Sequence, residues 1–240
     1  MRVLFIQHDH TSPPGLVGER FSDRGYGVEE FLVVPADRFL DPGVTVSFPD
    51  PTGFDALVPM GAPWSVYDKA LIGSWVEPEL ELLRRASTEG VPVLGLCFGG
   101  QLLAAAHGGH VVRSKVPEVG WHVLHSDEPE LLPPGPWFQW HFDRWQTPPS
   151  AREIARSGAA SQAFVFGRNL ALQFHPELDP AMLNGWLDNG GATALAEEGY
   201  DVPAIVAHTR TESPAARTRA HCLVDAFLDR VARSTSVSGW

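Results

Sequence analysis

Apolar and polar positions in this chain switch repeatedly between the strand period and the helix period. Residues 2–7 (RVLFIQ) form a short apolar run rich in strand formers, followed by the loop HDHTSPPG. Residues 16–26 (LVGERFSDRGY) read as a helix that stops near Gly25 and Gly27, and residues 29–34 (EEFLVV) read as a second strand. Residues 55–60 (DALVPM) read as a short third strand, although Pro59 is a residue that sheet interiors disfavour. Residues 75–88 place apolar side chains at helical spacing, with Gly90 at a C-terminal stop. Residues 91–97 (VPVLGLC) read as a buried strand, and a small-residue helix, GGQLLAAAHG, follows at once.

This alternation predicts an α/β fold: three αβα layers around a flavodoxin-like, mostly parallel sheet. From residue 111 the texture changes. HVVRS, GWHVLHS, PWFQWHF, SQAFVFG and LALQFH are short apolar or alternating runs between turn residues. They read as antiparallel strands appended to the parallel core. Residues 180–199 and 214–234 return to helical periodicity, and SPAARTRA reads as a mobile loop before the last helix. No internal repeat or low-complexity linker interrupts the pattern. The expected organisation is one domain over residues 1–240, with 178–240 a helical extension packed on it.

Composition narrows the class. The chain has 240 residues, 44% hydrophobic and 20% charged, which suits a soluble α/β domain with a large core. With 29 acidic and 18 basic side chains and no run of Lys or Arg, a nucleic-acid partner is not expected. The two cysteines, Cys97 and Cys222, cannot build a disulfide framework, so a reduced, cytoplasmic setting is expected. The apolar run after Met1-Arg2 is shorter than a secretory signal core. No stretch approaches the ~18 apolar residues of a membrane span.

The candidate chemistry begins at GLCFGGQ, Gly95 to Gln101, which lies directly between a strand and a helix. Gly-x-Cys-x-Gly in that setting is the cysteine form of a nucleophile elbow. The sharp turn strains the backbone at Cys97, and the flanking glycines let the helix pack close to the strand. The sulfur is then carried at the carboxyl edge of the sheet, under the positive end of the following helix. A lone cysteine is more often a small buried hydrophobe, but strand, paired glycines and helix occur here together.

The segment ALQFHPEL puts His175 and Glu177 just after an apolar strand. Residues i and i+2 of an extended chain face the same way, and Pro176 keeps His175 extended. Glu177 can then hold one imidazole nitrogen while the other faces a thiol, the arrangement that activates a weak nucleophile. His-Pro-Glu alone would read as a surface turn with an ion pair. Its pairing with the elbow favours catalysis.

GLCFGGQ followed by QFHPE resembles the class I glutamine amidotransferases, which use a Cys-His-Glu triad. VLFIQHDHTSPPG looks like the first strand and loop of stand-alone members related to the amidotransferase domain of GMP synthase. DALVPMGAPWSVYD, PEVGWHVL and QWHFDRWQTPP resemble further segments of that family, and the last 60 or so residues match loosely. The resemblance implies Cys97 as nucleophile, His175 as base and Glu177 as its orienter. It implies an oxyanion hole from the N–H of Phe98 and of Gly61 or Ala62. Ala62 departs from the family's second glycine, and alanine tolerates positive φ poorly. Gln101 is implied to hold substrate, a role weighed equally with that of a polar residue at a buried helix start. Trp140, His141, Phe142 and Asp143 are implied to hold the α-amino and α-carboxylate ends of glutamine, where the bland alternative is a partly buried aromatic strand end.

The expected reaction cleaves the side-chain amide of glutamine to glutamate and ammonia through a γ-glutamyl thioester. No cofactor or metal is expected: His8-Asp9-His10 lacks a third ligand nearby and reads as a loop at the edge of the first strand. With no GxxxxGK[ST] pattern in the chain, a synthase that receives the ammonia is expected on a separate chain. Two alternatives stand beside this. One is a hydrolase or peptidase of small γ-glutamyl compounds needing no partner; the other is a degenerate, non-catalytic regulatory subunit. Cys222, in a stretch that reads as an amphipathic helix, is expected to be a buried structural cysteine.

Overall fold

The computed structural model describes residues 1–234. Strand β1 (Arg2–Gln7) is buried at every position after Arg2, as a strand covered on both faces must be. It lies between β2 (Gly27–Leu32) and β3 (Ala56–Pro59), parallel to both. Pro59 is the last residue of β3, and the ladder passes to Met60, whose N–H donates to the Ile6 carbonyl at 3.0 Å. A parallel bridge between Leu57 and Val93 carries the sheet to β4 (Leu94–Leu96).

β4 pairs in parallel with β10 (Asn169–Leu172). The sheet then continues antiparallel through β9 (Ser161–Phe166), β8 (Arg152–Arg156) and β6 (His125–Ser126). β5 (His110–His122) and β7 (Trp137–Gln146) form a separate antiparallel ribbon whose register shifts between Arg113 and Glu118. The helices are α1 (Gly15–Asp23), α2 (Lys69–Thr88), α3 (Phe98–Ala106), α4 (Pro180–Trp186), α5 (Ala192–Glu197) and α6 (Val202–Ala226).

The period-2 alternation of β1 sorts these helices into layers. Val3 and Phe5 pack with Val17 and Phe21 of α1 and Leu223 and Val224 of α6. Leu4 and Ile6 pack with Trp75 and Leu83 of α2 and Leu102 and Leu103 of α3. The result is the expected α/β, three-layer arrangement with antiparallel strands at one side. No helix among the described residues is long and apolar enough to cross a membrane.

Several expectations need correction. The run LALQFH is no appendage: β10 sits inside the central sheet, parallel to β4, because a short apolar run carries no information about its partner. β8, with little beyond Ile154 and Ala155 to mark it, escaped the pattern. SPAARTRA is not a loop but part of α6, which runs through Pro214. Buried Ala216 and Ala220 give that stretch a face of small residues too weak to register as periodic. Arg20 of α1 and Arg24 just after it hold Asp225 at 2.7 and 2.6 Å and tie α6 down. Cys222 is exposed rather than buried, beside the inward-facing Leu223. Of the expected C-terminal extension, residues 235–240 lie outside the described residues.

The start of α3 crosses β3 closely enough that a Cβ on Gly99 would stand 2.0 Å from the Pro59 carbonyl oxygen. Gly99 also donates its N–H to the Met60 carbonyl at 2.9 Å. Helix propensity alone would make Gly99→Ala stabilising by about 1 kcal/mol. Backbone cannot yield as a side chain does, so the expected result is a loss of about 1–3 kcal/mol or more, read from urea unfolding. A gain in stability would mean the contact is looser than described.

Candidate active site

Cys97 joins β4 to α3 with φ 49° and ψ −105°, and no other non-glycine residue among the described ones has a positive φ. Such a conformation is strained for a residue with a Cβ. Two backbone bonds hold it: Cys97 N–H donates to Leu172 of β10 at 2.8 Å, and Gln101 N–H donates to the Cys97 carbonyl at 3.0 Å. Because β4 and β10 are adjacent and parallel, they end at the same edge. His175, just beyond β10, is thereby brought to Cys97.

His175 Nδ1 lies 2.7 Å from Glu177 Oε1, and the Glu177 side chain is wholly buried. The backbone fixes both residues: His175 N–H donates to Phe138 of β7, and Leu16 N–H donates to the Glu177 carbonyl. Burial by itself pushes the imidazole down. The charge of Cys97, then that of Glu177, and hydrogen bonds to both outweigh it and hold His175 well above the usual histidine range. Gln173 Nε2 approaches the Cys97 sulfur at 3.8 Å. The expected His175–Glu177 pairing and its proximity to Cys97 are both present.

The MGAP loop lies against these groups. A Cβ on Gly61 would stand 3.0 Å from His175 Cε1 and 3.9 Å from Cys97 Cβ, so a larger residue would displace the loop. Neither Gly61 nor Ala62 has a positive φ, and alanine at 62 therefore brings no backbone strain. Phe98, at the first position of α3, has an N–H with no intrahelical acceptor.

A buried pair lies beneath the loop. His8 Nδ1 donates to the Gly61 carbonyl at 3.1 Å, and His8 Nε2 lies 3.1 and 3.0 Å from the two Glu79 oxygens. Both side chains are fully buried, with His8 stacked on Trp75 and edge-on to Phe98. Burial pushes His8 down, but the charge and hydrogen bond of Glu79 and the Gly61 carbonyl outweigh it, and the imidazole is raised. With an acceptor on each nitrogen, the ring serves as donor on both sides. In a trans peptide the C=O and the next N–H point oppositely. Holding the Gly61 oxygen toward His8 turns the Ala62 N–H away from it, where Ala62 borders the cleft with Cys97.

Two clefts meet at Cys97. One is polar and contains all the expected substrate-binding positions: Gln101 from α3 and Trp140, His141, Phe142 and Asp143 from β7. Gln101 is 3.4 Å from Gln173 Oε1. Asp143 accepts from Ser65 Oγ at 2.5 Å and Tyr67 OH at 2.9 Å, while His141 turns to Glu118 at 3.4 Å. Arg113, over the Phe142 ring at 4.9 Å, borders the same cleft. The other cleft contains His175 and is walled by aromatic rings.

His8, Glu79, Gln173 and Trp186 were not anticipated here. Glu79 did leave a signal, as the one charge on the inward stripe Trp75, Val76, Leu80 and Leu83 of α2. Within His8-Asp9-His10, His8 turns to Glu79 while Asp9 accepts from Thr11 and Ser12.

Residues 44–184 match the family model described as glutamine amidotransferase class-I. The chain is 35% identical over 136 residues to a glutamine-hydrolyzing GMP synthase of Aeropyrum pernix, covering 51% of this chain and 27% of that protein. It is 38% identical over 134 residues to the corresponding protein of Mycobacterium tuberculosis, covering 51% and 23%. It thus spans about a quarter of the length of these curated relatives. The crystal structure of a glutamine amidotransferase from Methylobacillus flagellatus superimposes with a TM-score of 0.81 at 26% identity, over 100% of this chain and 98% of that one. One from Thermotoga maritima shares the fold, with a TM-score of 0.80 at 23% identity over 98% and 99% of the two chains.

Glu79→Gln leaves a buried imidazole without its counter-charge and is expected to cost about 3–5 kcal/mol. A raised His8 keeps a proton that the unfolded chain releases above about pH 6.5. The pair's contribution is therefore full below that pH and is lost as pH rises through the folded value. The stability difference between parent and Glu79→Gln, from denaturant titrations, should be largest in mild acid and shrink toward alkaline pH. A pH-independent difference would rule out the charged His8.

Proposed function

Because the chain belongs to the class-I glutamine amidotransferase family, we propose that it hydrolyses the side-chain amide of glutamine or of a related γ-glutamyl compound through a thioester on Cys97. One observation carries this reading: a strained Cys97 stands beside an imidazole whose far nitrogen is held by a buried carboxylate.

The α-amino group of the substrate sits near Asp143 and its α-carboxylate near Arg113, with Gln101, Trp140, His141 and Phe142 completing the polar cleft. Cys97 attacks the side-chain carbonyl carbon as thiolate. The carbonyl oxygen takes up negative charge and accepts hydrogen bonds from the N–H groups of Phe98 and Ala62, backbone donors of a kind typically worth about 10²–10³-fold in rate. His8 keeps the Gly61–Ala62 peptide aimed while this happens. His175, held by Glu177, gives its proton to the departing nitrogen and then takes one from the water that cleaves the thioester. Glutamate leaves and Cys97 is restored.

The relatives are named glutamine-hydrolyzing GMP synthases, and by that likeness ammonia would pass to a synthase active site. A stand-alone γ-glutamyl hydrolase is favoured by a separate feature, the aromatic second cleft. A degenerate binding subunit loses its one supporting feature, since Ala62 fits the loop without strain.

Cys97→Ala is expected to abolish glutamate release from glutamine and γ-glutamyl amides while the unfolding midpoint stays near that of the parent. Undiminished release by that variant would falsify the scheme. Glu177→Gln should lower kcat by about 10²–10⁴-fold, with a smaller change in KM, as expected for a group that orients the base.

A further inference from the structure

The two clefts that meet at Cys97 differ in chemistry, and that difference bears on what leaves the thioester. His175 borders the second cleft and not the polar one. A general acid must reach the atom it protonates, so the departing nitrogen lies on the His175 side. The γ-glutamyl half then occupies the polar cleft, with Asp143 and Arg113.

Ammonia would need no room beyond His175. The cleft there has a cavity volume of about 140 Å³. Its walls are Phe39, Trp140 and Trp186; the rings of Trp140 and Trp186 meet edge to face at 5.7 Å, and Trp186 meets the His175 ring at 4.9 Å. Asn189 also borders it, and the polar groups Asp9, Thr11 and Ser12 are engaged internally. Asp9 accepts from Thr11 N–H, Thr11 Oγ1 and Ser12 Oγ at 2.7, 2.6 and 3.0 Å, and Ser12 Oγ accepts from Trp186 Nε1 at 3.1 Å. No Lys or Arg borders the cleft among the described residues, so apart from the His175 imidazole, which faces the departing nitrogen, no cation there would pair with a carboxylate on the leaving group.

We propose that this cleft is a leaving-group subsite for an uncharged apolar amine carrying an aromatic ring, so that the preferred substrate is a γ-glutamyl arylalkylamide rather than glutamine or a γ-glutamyl peptide. The inference rests on the reading of Cys97 as nucleophile. In the step it concerns, the Cys97 sulfur bonds to the γ-glutamyl carbonyl carbon and the C–N bond breaks. The nitrogen takes the His175 proton and the amine departs between the rings of Trp186 and Phe39. Water then cleaves the thioester, giving glutamate and a free thiol, with no oxidant or second substrate.

The test measures kcat/KM of the full chain for γ-glutamyl-benzylamide, γ-glutamyl-methylamide, γ-glutamylglycine and glutamine, with Cys97→Ala as control. The expected result is a preference for the benzylamide over the methylamide on the order of 10–100-fold, with γ-glutamylglycine the poorest amide. Phe39→Ala and Trp186→Ala should each collapse the benzylamide-to-methylamide ratio, and Trp186→Phe should restore most of it. The ratio cancels any general effect on His175. Cys97-dependent turnover in which the methylamide, the glycine amide or glutamine equals or exceeds the benzylamide overturns the subsite and leaves the nucleophile reading standing. Absence of both glutamate release and a γ-glutamyl adduct on Cys97, with all four compounds, overturns both.

Discussion

The hydrogen bond from Cys97 N–H to the Leu172 carbonyl is the contact on which the candidate site depends. It joins β4 to β10 at the point where β4 turns into α3. It also holds Cys97 in a backbone conformation of a kind that costs about 1–3 kcal/mol when nothing constrains it. The same strand neighbourhood aligns the two ends, so that His175 emerges beside Cys97. Had β10 been an appended antiparallel strand, His175 and Glu177 would have left the sheet at its opposite edge.

Around that junction the protein buries charge where an apolar core would have been simpler. The His8 and Glu79 side chains are both wholly buried, with His8 stacked on Trp75 and edge-on to Phe98. A buried ion pair adds little net stability over well-packed apolar side chains, so its presence calls for another account. The bond from His8 to Gly61 supplies one: the pair fixes the orientation of a single peptide unit at the cleft. Gly61 allows that loop to lie against His175, and Ala62 follows without a left-handed backbone.

The C-terminal part of the chain also takes part in the site. The kink over Leu187–Gly191, with Gly190 at φ 98°, follows α4 and borders the cleft through Asn189 and Gly191. Trp186, at the end of α4, rests on His175 and closes that side of the site with Trp140. These helices thus do more than cover the sheet. They build the wall that gives the His175 side its apolar character, while β7 and the Ser65–Tyr67 loop give the other side its polar one.

The local features could be read from the residues alone. Period-2 and helical runs marked most of the parallel core, and GLCFGGQ and QFHPE marked Cys97, His175 and Glu177, because an elbow and an i, i+2 pair are built from residues close along the chain. Phe98, Gln101 and Asp143 were legible through motifs of the same short range. Folding was needed to reveal which strand lies beside β4, that 202–226 is one helix, that Cys222 faces outward, and that Glu79 meets His8. Each of these depends on a partner far along the chain, and strand pairing, burial and counter-ions belong to that partner as much as to the residue itself. The two unlike clefts are of the same kind: Asp9, Phe39, Trp140 and Trp186 carry no common pattern, and only the fold gathers them around Cys97.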